Sequence, residues 1–379
     1  MNKLLLGTTA LISVAAFAAT ASAAEKIQLE LSGYHVGGIS YTDGELTEYT
    51  RDVIHGGGTS SVVNEGYNEI NFGSDSEVHF RGSTTLDNGL KVSFRAELEL
   101  EDDSDVDGDA DQIDEVYIQF DGGFGRLQFG QNDGAMYQHH IAAPNAFVGH
   151  GVNQPDVHLD PFEPTGSPNL INTYGGFSGD NTKLTYFTPS MNGLQIGASF
   201  TPNPCKNDTG YSQCSTSTFG RNYAEISGTF RTDIGNVELG FSAGYGVGDN
   251  GSSGEEPTEW TVGAELQTAG LTIGGSYRDG NTLGVSGLDS TSWDAGISYA
   301  MGPWEASLQY GEGNADIGSP FNINGNSWAG GVTYMYGPGM QLGVGAQTLD
   351  GGLEFFDGHF KDGLDYAGTS FFIENVISF

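Results

Sequence analysis

Residues 103–114 read DSDVDGDADQID, in which Asp103, Asp105, Asp107, the turn glycine Gly108, Asp109, Asp111 and Asp114 fall at the spacing of a calcium loop. The first three carboxylates can converge on a hard cation, Asp109 can offer its carbonyl, and Asp111 and Asp114 can close the shell. A calcium-sensor loop also needs a helix on each side. Here the flanks, LKVSFRAELEL and EVYIQF, alternate apolar with polar residues, which is strand periodicity. Two readings stay open: a structural Ca2+ site at a hairpin tip, or a solvated acidic run that condenses divalent ions loosely. Neither makes a cofactor a requirement.

Nucleophilic and nucleotide chemistry find no footing. GFSAG (240–244) matches a nucleophile elbow, yet Ser242 lies inside an alternating strand with no strand-to-helix turn. GVGDNG (246–251) matches a dinucleotide fingerprint but falls in an acidic stretch with no helix after it. With 60 glycines such matches arise by composition alone, and no enzyme activity is expected.

The elements that must position these groups are nearly all strands. In LKVSFRAELEL, Leu90, Val92, Phe94, Ala96, Leu98 and Leu100 share one face, and Lys91, Ser93, Arg95, Glu97 and Glu99 the other. The same dyad runs through WTVGAELQ, LTIGGSY, WDAGISYA, WEASLQY and MQLGVGAQT. Glycine, serine and glutamine fill the polar face, so a wet and spacious interior is expected. Tight turns alternate with long polar loops: LDNG (86–89), DGGFG (121–125), PSMNG (189–193), TDIGN (232–236), TAG (268–270), MGP (301–303) and GPG (337–339). Seven such turns and the loops between them imply about sixteen strands. Short turns on one rim and long loops on the other describe an all-β, antiparallel transmembrane barrel, in which no strand edge meets lipid. Trp260, Trp293, Trp328 and Trp304 stand at strand ends, where an interfacial girdle would lie.

The first residues combine Lys3, an apolar run and Ala21-Ser22-Ala23, so residues 1–23 are expected to be a cleaved export signal and 24–379 the barrel. Removing Lys3 with that leader leaves 12 basic against 49 acidic residues, a formal charge of −37. That charge excludes a nucleic-acid partner and favours cations. Lumen-side Glu97, Glu99, Glu238, Glu265 and Glu305 point the same way. In an oxidising export compartment Cys205 and Cys214 are expected to close a short disulfide loop; two free thiols or a metal pair are the alternatives.

Three stretches, LELSGYHVGGISYTDG, SEVHFRGSTTLDNGLKVSFRAELE and FGRLQFGQNDGAM, together with the terminal FFIENVISF, resemble the Gram-negative general porins, above all the alphaproteobacterial type. The resemblance implies a homotrimer of water-filled diffusion channels for small hydrophilic solutes in the outer membrane. Lipid and lipopolysaccharide would surround it, and the barrel-assembly machinery would recognise the strand ending at Phe379. It also implies one long loop folded into the lumen, here about 132–174, whose length independently marks a functional insertion. A basic wall cluster then faces acids of that loop across a constriction. The dyad puts Arg81, Arg95, Lys91 and Arg126 inside, where charge is tolerated, and the loop offers Asp133, Asp156, Asp160 and Glu163. His139, His140, His150 and His158 in the same loop are expected to be polar filling. A channel specific for sugars or anions is the competing reading; it would call for an aromatic track or a denser basic ladder. A secreted calcium β-roll would need a GGxGxDxUx array, and none is found.

Overall fold

The computed structural model describes residues 26–52, 58–62, 69–100, 113–153, 159–162, 170–176, 178–203, 221–249, 256–281, 288–317, 321–356 and 360–379. The leader 1–23, Asp103, Asp105, Asp107, Asp109, Asp111, Asp156, His158, Glu163, Cys205 and Cys214 lie outside the described residues.

Strand segments follow one another along the chain: β1 (Gln28–Asp52), β2 (Gly58–Val62), β3 (Ile70–Thr85), β4 (Lys91–Glu99), β5 (Ile113–Gly122) and β6 (Gly125–Gln131). After a four-residue helix, α1 (Ala135–Gln138), come β7 (Thr182–Phe187), β8 (Leu194–Thr201), β9 (Arg221–Ile234), β10 (Val237–Asp249) and β11 (Thr258–Thr268). The last are β12 (Leu271–Asn281), β13 (Leu288–Met301), β14 (Trp304–Ile317), β15 (Phe321–Gly337), β16 (Met340–Phe356) and β17 (Phe360–Ser378). Each pairs antiparallel with its neighbour, and β1 closes on β17 from Tyr34↔Ser378 to Asp52↔Phe360. Both β2 and β3 pair with β1, β2 beside its outer end, so the two are parts of one stave. The barrel has sixteen staves and no open edge.

Alternation assigns the two faces. Ile39, Phe94, Phe241, Ile273, Val344 and Phe371 point outward and stay exposed, as a lipid-facing band requires. Ser227, Ser242, Ser307, Gln309 and Gln347 point inward and are buried. Trp260 meets Tyr277 at 5.1 Å, while Tyr310 bridges Trp293 at 5.3 Å and Trp328 at 4.6 Å across neighbouring strands. These amphipathic rings form one girdle. Beside the 302–303 turn, Trp304 and Tyr334 lie 4.4 Å apart at the other rim.

One irregularity matters for the lumen. Ala96 pairs with Val116 but Leu98 with Ile113, so Asp114 and Glu115 share one place in the ladder. A bulge of this kind re-aims side chains, and both acids reach lumen groups. Asp114 lies with Glu77 and Glu99, and Glu115 with Asp133 and Asp180, each set having carboxylate oxygens within 4.8 Å.

Candidate functional site

The described residues of the connection from β6 to β7 (132–153, 159–162, 170–176 and 178–181) run inside the barrel and are fastened to the wall strand by strand. The Ser199 and Ser242 hydroxyls accept the Ala135 and Ile141 N–H groups at 2.8 and 3.2 Å. Further round, the Ser307 hydroxyl accepts the Ala146 N–H at 3.0 Å, and Gln309 Nε2 donates to the Ala143 carbonyl at 3.2 Å. Thr42 on β1 donates to the Pro161 carbonyl at 3.1 Å.

Four wall carboxylates carry the strongest of these bonds. Glu225 accepts from Met136 N–H at 3.3 Å and from Ser178 at 2.9 Å. Glu259 accepts from Gly176 N–H at 2.5 Å, and Asp294 from Ala143 N–H at 3.1 Å and Asn153 at 2.7 Å. Glu374 takes the Val148 and Gly149 N–H groups at 3.1 and 3.0 Å. Each is buried, and charge-assisted bonds to backbone N–H offset the cost of that burial. The sequence reading passed over all four. Their signal was there: a lone acid at an inward position, as in NYAEISG or SWDAGIS.

The inward glycines also differ from expectation. They are not open space, because the inserted segment lies flush against them. A Cβ at Gly263 would collide with the Ile141 carbonyl, and one at Gly313 with the Leu170 carbonyl. Phe147 fills the space above Gly343 and Gly345 and meets Phe372 edge-on at 5.1 Å.

The anchors run from β8 round to β17 and β1, with further contacts to Gly73 on β3, Glu115 on β5 and Gln128 on β6. On the arc of β3–β6, no described residue of the segment lines the hollow around Arg81, Lys91 and Arg95 on the side of the 86–89 turn. Arg81, Lys91, Arg95 and Arg126 all stand on that arc, facing inward. Arg81 and Arg95 are directly opposite across β3 and β4. Arg95 makes an ion pair with Glu97, and its Nε is 4.0 Å from Glu115. Arg126 lies 3.4 Å from Asp121. The carboxylates that meet these two cations therefore come from the wall itself. Of the segment's acids, Asp133 sits at its root with its N–H donating to Glu115 at 2.9 Å, and burial, then the Asp180 and Glu115 charges, push its carboxyl up to about 8. Asp160 caps the Phe162 N–H at 2.9 Å and lines a hollow with Gly38, Asn71 and Gly73.

The described histidines are tied into packing. His139 contacts Ser227 at 2.9 Å, and burial lowers its pKa. His140 meets Thr173 at 3.0 Å, and burial, with Arg278 nearby, takes it down to about 3. His150 lies on Glu374. Glu77, His79 and Glu97 have the spacing of metal ligands, but Arg81 contacts His79 at 2.8 Å and Arg95 holds Glu97, so a hydrogen-bond network accounts for the group. Asp114, sixth of the acidic-stretch aspartates, stands on the wall with Glu77 and Glu99.

The family model of the Gram-negative porins matches residues 7–352. A comparison with curated proteins finds no match. Among solved structures, OmpT of Vibrio cholerae, in-vitro folded and in trimer form, is similar over 94% of this chain and 100% of its own, at 12% identity and a TM-score of 0.59. The outer membrane channel DcaP of Acinetobacter baumannii covers 93% of this chain and 97% of its own, at 14% identity and a TM-score of 0.56. A mutant of the Rh. blastica porin covers 91% and 100%, at 14% identity and a TM-score of 0.51. The likeness to these structures is one of fold. With the family matched over most of its length and the same closed barrel in each neighbour, the chain belongs to the Gram-negative porins, passive diffusion channels of the outer membrane.

Proposed function

We propose that the protein is a general, moderately cation-preferring channel for small hydrophilic solutes and ions. The observation that carries this reading is the division of the lumen: the described residues of the inserted segment narrow it, and none of them lines the charged hollow around Arg81, Lys91 and Arg95 on the β3–β6 arc. Inward Glu99, Glu238, Glu265 and Glu305 and the formal charge of the exported chain support a cation preference. Arg81 and Lys91 oppose it locally. Reversal potentials across planar bilayers in a potassium chloride gradient test the reading. A cation-selective sign is expected; an anion-selective sign would overturn it.

The working assembly is a homotrimer, delivered by cleavage after Ala23. OmpT of Vibrio cholerae has a trimer form, and the outward face of β1 and β3 offers a suitable patch. His35 and Ser76 hydrogen-bond there at 2.6 Å beside Gly37 and Ser74, a polar surface poorly suited to lipid. Native mass measurement in mild detergent should give three chains; a monomer alone would count against the patch. Above the girdle the outer surface turns acidic at Glu45, Asp350 and Asp365, which suits lipopolysaccharide phosphates bridged by divalent cations.

A further inference from the structure

We propose that the hollow on the turn side of the β3–β6 arc holds a subsite for a small anion bearing a carboxylate or phosphate group, seated between Arg81 and Lys91. The inference rests on the channel reading above and names a solute class within it. The hollow, of about 320 Å³, is bordered by Arg81, Ser83, Lys91, Ser93, Arg95 and Tyr117, with Glu30 and Gln119 at its margins. No described residue of the inserted segment lines it.

Strand register builds the site in rows. Glu30, Arg81, Arg95 and Tyr117 are in register across β1, β3, β4 and β5. Ser83, Ser93 and Gln119 form the next row toward the 86–89 turn, and Lys91 stands between Thr85 and Asp121 in the row below. Rows of one face are about 6.6–6.8 Å apart along a strand, within the reach of an arginine or lysine. The two cations thus bracket a pair of hydroxyls.

Pairing separates these groups from the other lumen cations. Arg95 is held by Glu97, Arg126 by Asp121, and Arg231 by Glu238 and Glu265. Arg81 touches only the His79 ring, through Nη2, which leaves its other N–H donors unused by the described residues. The side chains of Lys91, Ser83 and Ser93 make no hydrogen bond or ion pair with any described residue. Glu30 is beside Arg81 without an ion pair to it, and Arg95 is already neutralised, so the hollow is net positive. A guanidinium fork, an ammonium and two hydroxyls offer what a carboxylate or phosphate accepts. In a lumen otherwise rich in carboxylates, such an anion would find its donors here.

The test uses purified protein in planar bilayers at low salt, about 0.1 M potassium chloride, where screening is modest. Succinate or inorganic phosphate is added on the side of the tight turns and the current is followed. A saturable fall is expected with at least one of them; succinate alone assigns a carboxylate ligand, phosphate alone a phosphate ligand. The double variant Arg81→Gln/Lys91→Gln should raise the half-saturating concentration about tenfold or more, the loss of charge-assisted bonds from two groups. Ser83→Ala/Ser93→Ala, a milder change that keeps the charge, should raise it about threefold. Arg231→Gln removes a lumen cation elsewhere and should shift it less than about twofold. Conduction without saturation, or an Arg231→Gln shift equal to that of the double variant, overturns the subsite and leaves the channel standing. A protein that inserts without conducting overturns both.

Discussion

His150 Nδ1 lies 2.9 Å from Glu374 Oε2, with both side chains buried inside the barrel. The imidazole is stacked flat on Phe372, centroids 3.7 Å apart and planes 2° from parallel. The same carboxylate binds two consecutive backbone N–H groups of the inserted segment. One wall residue thus fixes position, register and tilt together, and it is the last of four carboxylates doing so around the lumen.

Replacing Glu374 with Ala strands two N–H groups and the histidine. A loss of about 2–4 kcal/mol is expected, the scale of orphaned buried donors beside a lost charge-assisted bond. Glu374→Gln keeps an acceptor and should lose less. Thermal unfolding in detergent measures the stability, and open-channel current noise should rise in the Ala variant as the segment loosens. Equal noise in wild type and Glu374→Ala would show that the segment is held elsewhere.

The two facing arginines should behave differently. Arg95→Gln removes the partner of Glu97, whose carboxylate is nearly fully buried, and should destabilise by about 1–3 kcal/mol. Arg81→Gln breaks no carboxylate pair and should cost less than about 0.5 kcal/mol, as surface changes do. Both should raise cation preference, because each deletes an inward positive charge. Unchanged reversal potentials in the double variant would place these side chains away from the ion path.

Asp133 gives the root of the segment a pH dependence. Its carboxyl is raised from 3.8 to about 8, chiefly by burial, so the folded chain keeps a proton that the unfolded chain releases near pH 4. The stability contributed by this proton is complete below the unfolded value and is lost as pH climbs toward about 8. Asp133→Asn has no proton to lose. It should melt like wild type near about pH 4 and be more stable by about 1–3 kcal/mol near about pH 9. Parallel melting curves at both pH values would mean that Asp133 is solvated.

What the sequence spelled out was local. TAG at 268–270 and MGP at 301–303 close as tight turns because a two-residue turn is encoded by its own residues, with Gly270 and Gly302 at positive φ. Lys91, Arg95 and Trp304 fall on the expected faces because the strand period is two. What it did not spell out depends on partners far along the chain. The bulge at Asp114 and Glu115 exists only in the pairing of β4 with β5. Glu374 reads as one more interior polar residue in FFIENV, and its partner Val148 is 226 positions away. The inward glycines are the plainest case, because a missing side chain leaves the same sequence signal whether water or backbone fills the space.

That ambiguity can be tested at Gly263. In the β11 dyad, Val262 faces lipid and Gly263 faces the lumen, where the Ile141 carbonyl is packed against its Cα. If the glycine only widened a wet pore, Gly263→Ala would add one methyl group to water and change almost nothing. With the segment seated on it, the new Cβ would meet backbone oxygen, which cannot rotate away, and the Ile141–Ser242 hydrogen bond nearby would be strained or broken. The expected cost is about 1–3 kcal/mol, the range for overpacking, with Gly263→Val worse than Gly263→Ala. Because residues 140–143 would be pushed away from β11 into the lumen, single-channel conductance should fall along with stability. Gly228→Ala is the control: this glycine faces outward on β9, away from the segment. A Gly263→Ala protein with wild-type melting and conductance would return the inward glycines to the status of empty space.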